Sequence, residues 1–163
     1  MSENAPAQHT ALHGLGEFDP ALDTILARAQ REVRVFDTTL GRGFNSVARA
    51  EAMRNFLLAS RRNRLRVVVH ETGPLDRNCP RFLQLLRAYS HAVSVHETQP
   101  QAKLVYDPFT VVDDLHFVRR FHFEEMRGVL AVDDPIGARS LIERFEELWE
   151  ASFPAVSATT LGL

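Results

Sequence analysis

The run RLRVVVHE at 64–71 limits the fold more than any other part of the chain. From Leu65 to Val69 it carries β-branched and aliphatic residues almost without interruption, which suits a strand covered on both faces and not one with a wet side. Two neighbours share its character, REVRVFD at 31–37 and AVSVHE at 92–97. The segments between them have helical spacing. NSVARAEAMRNFLLAS at 45–60 places Val47, Ala50, Met53, Phe56 and Leu57 on one face, and CPRFLQLLRAYS at 79–90 reads the same way. A further helix is expected over DPALDTILARAQ at 19–30, with Asp19 as N-cap and Pro20 in the first turn.

Beyond residue 98 the pattern changes. KLVYD at 103–107 and FTVVDDLHFVRRF at 109–121 read as a β-hairpin turning near Pro108. RGVLAV at 127–132 reads as another strand, and Asp133-Asp134-Pro135 leads into a last helix over 136–152. Strands alternating with helices and then paired antiparallel predict a three-layer α/β/α domain with a mixed sheet. At 163 residues the chain has the length of one domain. The expected division is a flexible leader over 1–17, the domain over 18–153 and a tail over 154–163.

Charge and cysteine usage exclude several classes. The net charge is -2 with a pI near 6.4, so no global basic field draws the protein to nucleic acid, and any phosphate-binding surface must be local. The sequence has no apolar run of membrane-spanning length and no signal-peptide start, so no membrane association is expected. A single cysteine, Cys79, cannot form an intramolecular disulfide and fits a reducing, cytoplasmic setting. Metal ligands at useful spacing (HxH, HExxH or CxxC) do not occur, so neither a metal nor a cofactor is expected.

Several short features bear on chemistry. VVVHET at 67–72 and VSVHET at 93–98 end in the same triplet, which puts His70 and His96 at carboxyl ends of parallel strands, where open α/β sheets gather ligands. GRGF at 41–44 follows a strand but lacks the spacing of a phosphate loop. Arg61, Arg62, Arg64 and Arg66 cluster at a helix end, the pattern of a solvated terminus. GxSxG is absent, and Cys79 has no partner base in sequence. One choice is singular: Lys103 is the only lysine, against 18 arginines. A compact ammonium on a flexible stem differs in geometry from a planar guanidinium, so an arginine-rich chain that keeps lysine at one position points to a use for that geometry there.

The succession VRVFD, RLRVVVHE and VSVHE, then a lysine before the hairpin, then VLAVDDPIGARSLIERFEELWEAS with Phe145 and Trp149 spaced Phe-x-x-x-Trp, resembles one phospholipase D-like domain over about residues 18–153. In active members of that family the hairpin opens with the motif HxKxxxxD. Aligned on Lys103, the motif falls on Gln101, Ala102, Lys103 and Pro108, with Asp107 beside the last position. The resemblance implies a covalent mechanism in which a motif histidine attacks phosphorus and a second histidine, from another motif copy, protonates the leaving group. Gln101 cannot form the phosphohistidine. VRRFHFEEMRG at 118–128, with Arg119, Arg120, Glu125 and Arg127, stands where relatives carry Gly-Ser and Asn-x-Glu.

The expectation is therefore a degenerate, single-motif domain of bacterial character with no catalytic residues. It binds an anion or phosphate, or a protein partner, in a pocket of Lys103, Gln101, His70, His96, Asp37 and Thr39. With one motif copy per chain, a family-like site requires a homodimer. The competing expectation is a phosphodiesterase or nuclease rebuilt around His70 or His96, with His122 a further candidate. A third is a nucleic-acid-binding module without catalysis.

Overall fold

A computed structural model describes residues 6–156. Along the chain run β1 (Gln8–His13), α1 (Leu15–Leu26), β2 (Glu32–Asp37), α2 (Val47–Ala59), β3 (Arg64–Val69), the short α3 (Leu75–Asn78) and α4 (Pro80–Ala88). There follow β4 (Val93–Thr98), β5 (Phe109–Val112), β6 (His116–Arg120), β7 (Arg127–Val132), α5 (Pro135–Glu150) and β8 (Ser152–Val156). All eight strands join one sheet in the order β1-β7-β6-β5-β2-β3-β4-β8. The centre, β2-β3-β4, is parallel, and every other pairing is antiparallel.

Alternation along the strands divides the interior in two. Val33 and Val35 of β2, with Val67 and Val69 of β3, face a core built with α1, α2 and α4 through Phe18, Ile25, Met53, Phe56, Phe82 and Leu86. Phe36, Val68, Phe109, Val111, Phe117 and Ala131 face the other way, beneath Ala138, Leu141, Phe145 and Leu148 of α5. Leu65, Val67, Val68 and Val69 are each at most 1% exposed, so β3 is covered on both sides as its sequence requires. The architecture is the three-layer α/β/α domain with a mixed sheet.

Helix α1 begins at Leu15, four residues before Asp19, with Gly14 at its N-cap. Pro20 therefore lies inside the helix. Its missing N–H leaves the Gly16 carbonyl unpaired, and both residues are exposed, so water can satisfy that oxygen. Gly128 of β7 makes room for the helix: a Cβ there would stand 1.9 Å from the Arg119 carbonyl oxygen and 2.8 Å from the Phe18 ring.

The hairpin does not turn at Pro108. Residues 103–107 form no strand, and β5 and β6 turn at Asp113-Asp114, whose φ angles are 57° and 63°, with Leu115 N–H donating to Val112 C=O at 3.1 Å. Aspartate is among the few non-glycine residues that tolerate this left-handed region. The Asp113 carboxylate also accepts from the N–H groups of Gln30, Arg31 and Glu32 at 2.7, 2.7 and 2.9 Å, fixing the entry to β2.

Two edge strands fall where the sequence suggests a leader and a tail. In β1, within 1–17, only Leu12 is buried, so the period-2 signal of a half-buried strand is missing. In β8, Pro154 reads as a breaker but sits on an edge, where a missing N–H breaks no inner ladder. Residues 1–5 of the leader and 157–163 of the tail lie outside the described residues.

Candidate functional site

The carboxyl ends of β2, β3 and β4 open toward the turn Pro100–Ala102 and the loop 103–108. Lys103 follows that turn, and its Nζ donates to the backbone carbonyl of His70 at 2.5 Å. It pairs with neither Asp37 nor Asp107. Asp107 instead takes Arg144 of α5, with Arg119 at 3.8 Å. A lysine ammonium has three donors, and this contact uses one, so capacity for an anion remains.

His70 is 6% exposed and saturated with hydrogen bonds. Its Nε2 lies 2.6 Å from the Val105 carbonyl oxygen, which can only accept, so Nε2 carries the proton. Nδ1 is hydrogen-bonded to the Thr98 hydroxyl at 2.7 Å. Both ring nitrogens are thus engaged within the protein, and neither is left to attack phosphorus or relay a proton. It also packs edge-on against Phe36, with centroids 5.3 Å apart.

His96 stands elsewhere. It stacks on Trp149 of α5 at 3.5 Å, and its Nδ1 contacts the Ser152 hydroxyl at 2.8 Å. Burial, with Arg66 nearby, pushes its pKa below the ordinary value despite the Trp149 carbonyl. Arg66 leaves the cluster suggested by Arg61, Arg62 and Arg64: it bonds Glu32 and Glu146 beneath α5 and lies 5.2 Å from the Phe145 ring. His122 follows β6 and accepts from Glu124 N–H at 3.2 Å, beside Tyr106 and Phe123.

Parity decides the remaining residues. Val33, Val35 and Asp37 share one face of β2, while Arg34 and Phe36 share the other with His70. Asp37 thus lines a cavity on the α1 side, across the sheet from Lys103 and His70. Thr39 lies in the bend after β2, and Gln101 points to solvent. Of the six expected pocket residues, the structure joins Lys103 to His70 and brings none of the other four into that contact.

Burial raises the Asp37 pKa from 3.8 to about 6, against the lowering effects of the Thr38 N–H and the Arg120 charge. The cavity around it is not evident in the sequence. The legible signal is the acid closing the alternation Val33-Val35-Asp37, but the cavity walls come from α1, β5 and β6, distant in sequence. Among the described residues no group of three or more His, Cys, Asp or Glu is placed to hold a metal, and no helix is long and apolar enough to cross a membrane.

The fold is phospholipase D-like. Nuc from Salmonella typhimurium, a phospholipase D family member, superposes with a TM-score of 0.66 at 14% identity, over 93% of this chain and 100% of that one. NucT from Helicobacter pylori gives 0.62 at 15% identity, over 92% and 100%. TrmBL2, an archaeal chromatin protein with a novel mode of DNA binding, gives 0.67 at 11% identity, over 95% of this chain and 57% of that one. At these identities the likeness is one of fold. The chain itself belongs to the family described as "Domain of unknown function (DUF7931)", which it matches over residues 16–161. Comparison with curated protein sequences returns no match.

Proposed function

We propose that this chain is a non-catalytic phospholipase D-like domain that works by binding, taking an anion such as a phosphate group, or a protein partner, at the carboxyl ends of its parallel strands. The observation that carries the reading is the His70 imidazole, which lies beside Lys103 with both nitrogens already occupied. The hairpin supports it from a second direction. Active relatives carry HxKxxxxD on the first hairpin strand, which here is Phe109–Val112, closed by Asp113. Counting back from Asp113 puts Pro108 at the lysine position and Tyr106 at the histidine position. Counting from Lys103 puts Gln101 there. In both registers the nucleophilic histidine is absent, and losing such a nucleophile costs on the order of a millionfold in rate.

A homodimer belongs to the same reading, because one motif position per chain makes half of a two-fold site. Leu104, Tyr106 and Phe121, 77%, 39% and 47% exposed, flank the strand ends and offer apolar surface for such a contact. DNA binding, described for TrmBL2, is opposed here by the net charge of -2.

The test is hydrolysis of bis(p-nitrophenyl) phosphate, phosphatidylcholine and single-stranded DNA. The expected result is no turnover above a buffer control. Turnover that disappears in His70→Ala or His96→Ala would establish the rebuilt phosphodiesterase instead.

A further inference from the structure

The cavity at Asp37 lies across the sheet from Lys103, so a ligand held there neither uses nor requires the anion site at the strand ends. About 150 Å³ of space, half open to solvent, lies between the first turns of α1, the β2-β5-β6 face and the 41–44 turn. Phe18, Leu22, Val35, Phe44, Val118 and Met126 contribute its apolar wall. An apolar cavity of that size accepts a benzene-sized group.

The rim is polar and specifically spaced. Phe36 pairs with Phe109 and Phe109 with Arg119, so the next row across the sheet is Asp37, Pro108, Arg120. Arg120 N–H donates to Pro108 C=O at 2.9 Å, in keeping with that register. Strands lie about 4.8 Å apart, which separates the Asp37 and Arg120 backbones by roughly 10 Å. Pro108, between them, has no N–H to offer the carboxylate. Asp37 Oδ1 accepts from Thr38 N–H at 2.7 Å and from the Thr38 hydroxyl at 3.4 Å, while Oδ2 accepts from no group among the described residues. Arg120 donates from Nε to the Glu125 carbonyl at 3.0 Å and from Nη2 to the Phe123 carbonyl, leaving Nη1 for another acceptor. Arg49, also in the wall, is committed to Asp23, Gly43 and Asp19.

We propose that this cavity is a binding site for a small ligand with an apolar, ring-sized body and a polar head that donates to Asp37 and accepts from Arg120. That is the chemistry of a free apolar α-amino acid or its primary amide. The body fills the space between Phe18 and Phe44, and the head spans the row over Pro108. A ligand ammonium supplies the partner that Oδ2 lacks, through a charge-assisted hydrogen bond stronger than a neutral one.

Calorimetric titration of the full chain at neutral pH with four probes decides the matter. L-phenylalanine and L-phenylalaninamide carry the whole head, phenethylamine lacks the acceptor, and 3-phenylpropanoate lacks the donor. Saturable binding is expected for the first two at millimolar or lower concentration, with both incomplete probes at least about tenfold weaker. The free acid binding more tightly than the amide identifies an amino acid as the ligand, and the reverse identifies the amide. Asp37→Asn should weaken L-phenylalanine by about tenfold or more while the circular dichroism spectrum is kept. No saturable binding of either complete probe overturns the proposal, as does undiminished binding by Asp37→Asn or equal affinity for the incomplete probes.

Discussion

The Lys103 ammonium donates to the carbonyl oxygen of His70 at 2.5 Å, and the His70 ring reaches back to the carbonyl of Val105 at 2.6 Å. The two bonds run in opposite directions between the end of β3 and the loop 103–108. Lys103 and His70 are therefore first of all a clasp, and any binding at this end of the sheet takes place on it.

Replacing Lys103 with Met removes one half of the clasp and keeps the stem. Urea unfolding should show a loss of about 1.5–3 kcal/mol, the worth of one hydrogen bond from a charged donor. Wild type should gain thermal stability from millimolar phosphate or sulfate, and the variant should not. Equal gains in both proteins would leave Lys103 with the structural role alone.

Removing the His70 ring has a larger effect. His70→Ala leaves the Thr98 hydroxyl and the Val105 carbonyl without their partner and opens a void beside Phe36. A destabilisation of about 2–4 kcal/mol is expected by urea denaturation. A change below about 0.5 kcal/mol would contradict the clasp.

Asp37 gives stability a pH dependence opposite to that of a paired carboxylate. Its folded pKa, about 6, exceeds the ordinary 3.8, so the folded state holds this proton more tightly than the unfolded chain. The favourable contribution is complete below about pH 4 and is lost as pH rises through about 6. The whole shift corresponds to up to about 3 kcal/mol. Asp37→Asn should therefore stabilise the protein at pH 8, with the gain vanishing toward pH 4. Denaturant midpoints for both proteins across that range test this, and a pH-independent difference would refute it.

Asp113 holds three backbone N–H groups while adopting a φ of 57°. Asp113→Ala should cost about 2–4 kcal/mol, since it leaves buried donors unpaired and keeps a left-handed residue. Asp113→Asn, which retains one acceptor and tolerates the dihedral, should cost less. Chemical denaturation of the pair gives the ranking, and equal losses would remove the capping explanation.

Light scattering at tens of micromolar should show a dimer, and Phe121→Glu, which puts a charge on the exposed strand-end surface, should shift it toward the 18.4 kDa monomer. A wild-type monomer would exclude the two-fold arrangement.

How the sequence relates to the structure varies by element. VVV at 67–69 suits a strand covered twice, and the 3.6-residue spacing of 136–150 buries one helical face, so the layers are legible from local pattern. In 45–60 the expected face holds for Met53, Phe56 and Leu57, whereas Val47 is exposed and Arg49 is buried through its bonds to Asp23 and Gly43. The hairpin turn is not, because Asp113-Asp114 resembles an ordinary polar pair until a pairing partner forces both into the left-handed region. Nor are β1 and β8, which as edge strands bury little and so need little hydrophobic alternation. The candidate site divides along the same line. That Asp37, His70 and Lys103 gather at the carboxyl ends of strands follows from sequence order and parallel pairing. Which side of the sheet each one serves depends on where β2 ends relative to β3, and a shift of one residue would exchange the faces. Tertiary pairing fixes that register, placing Asp37 in a cavity under α1 and His70 in a clasp with Lys103 on the opposite side.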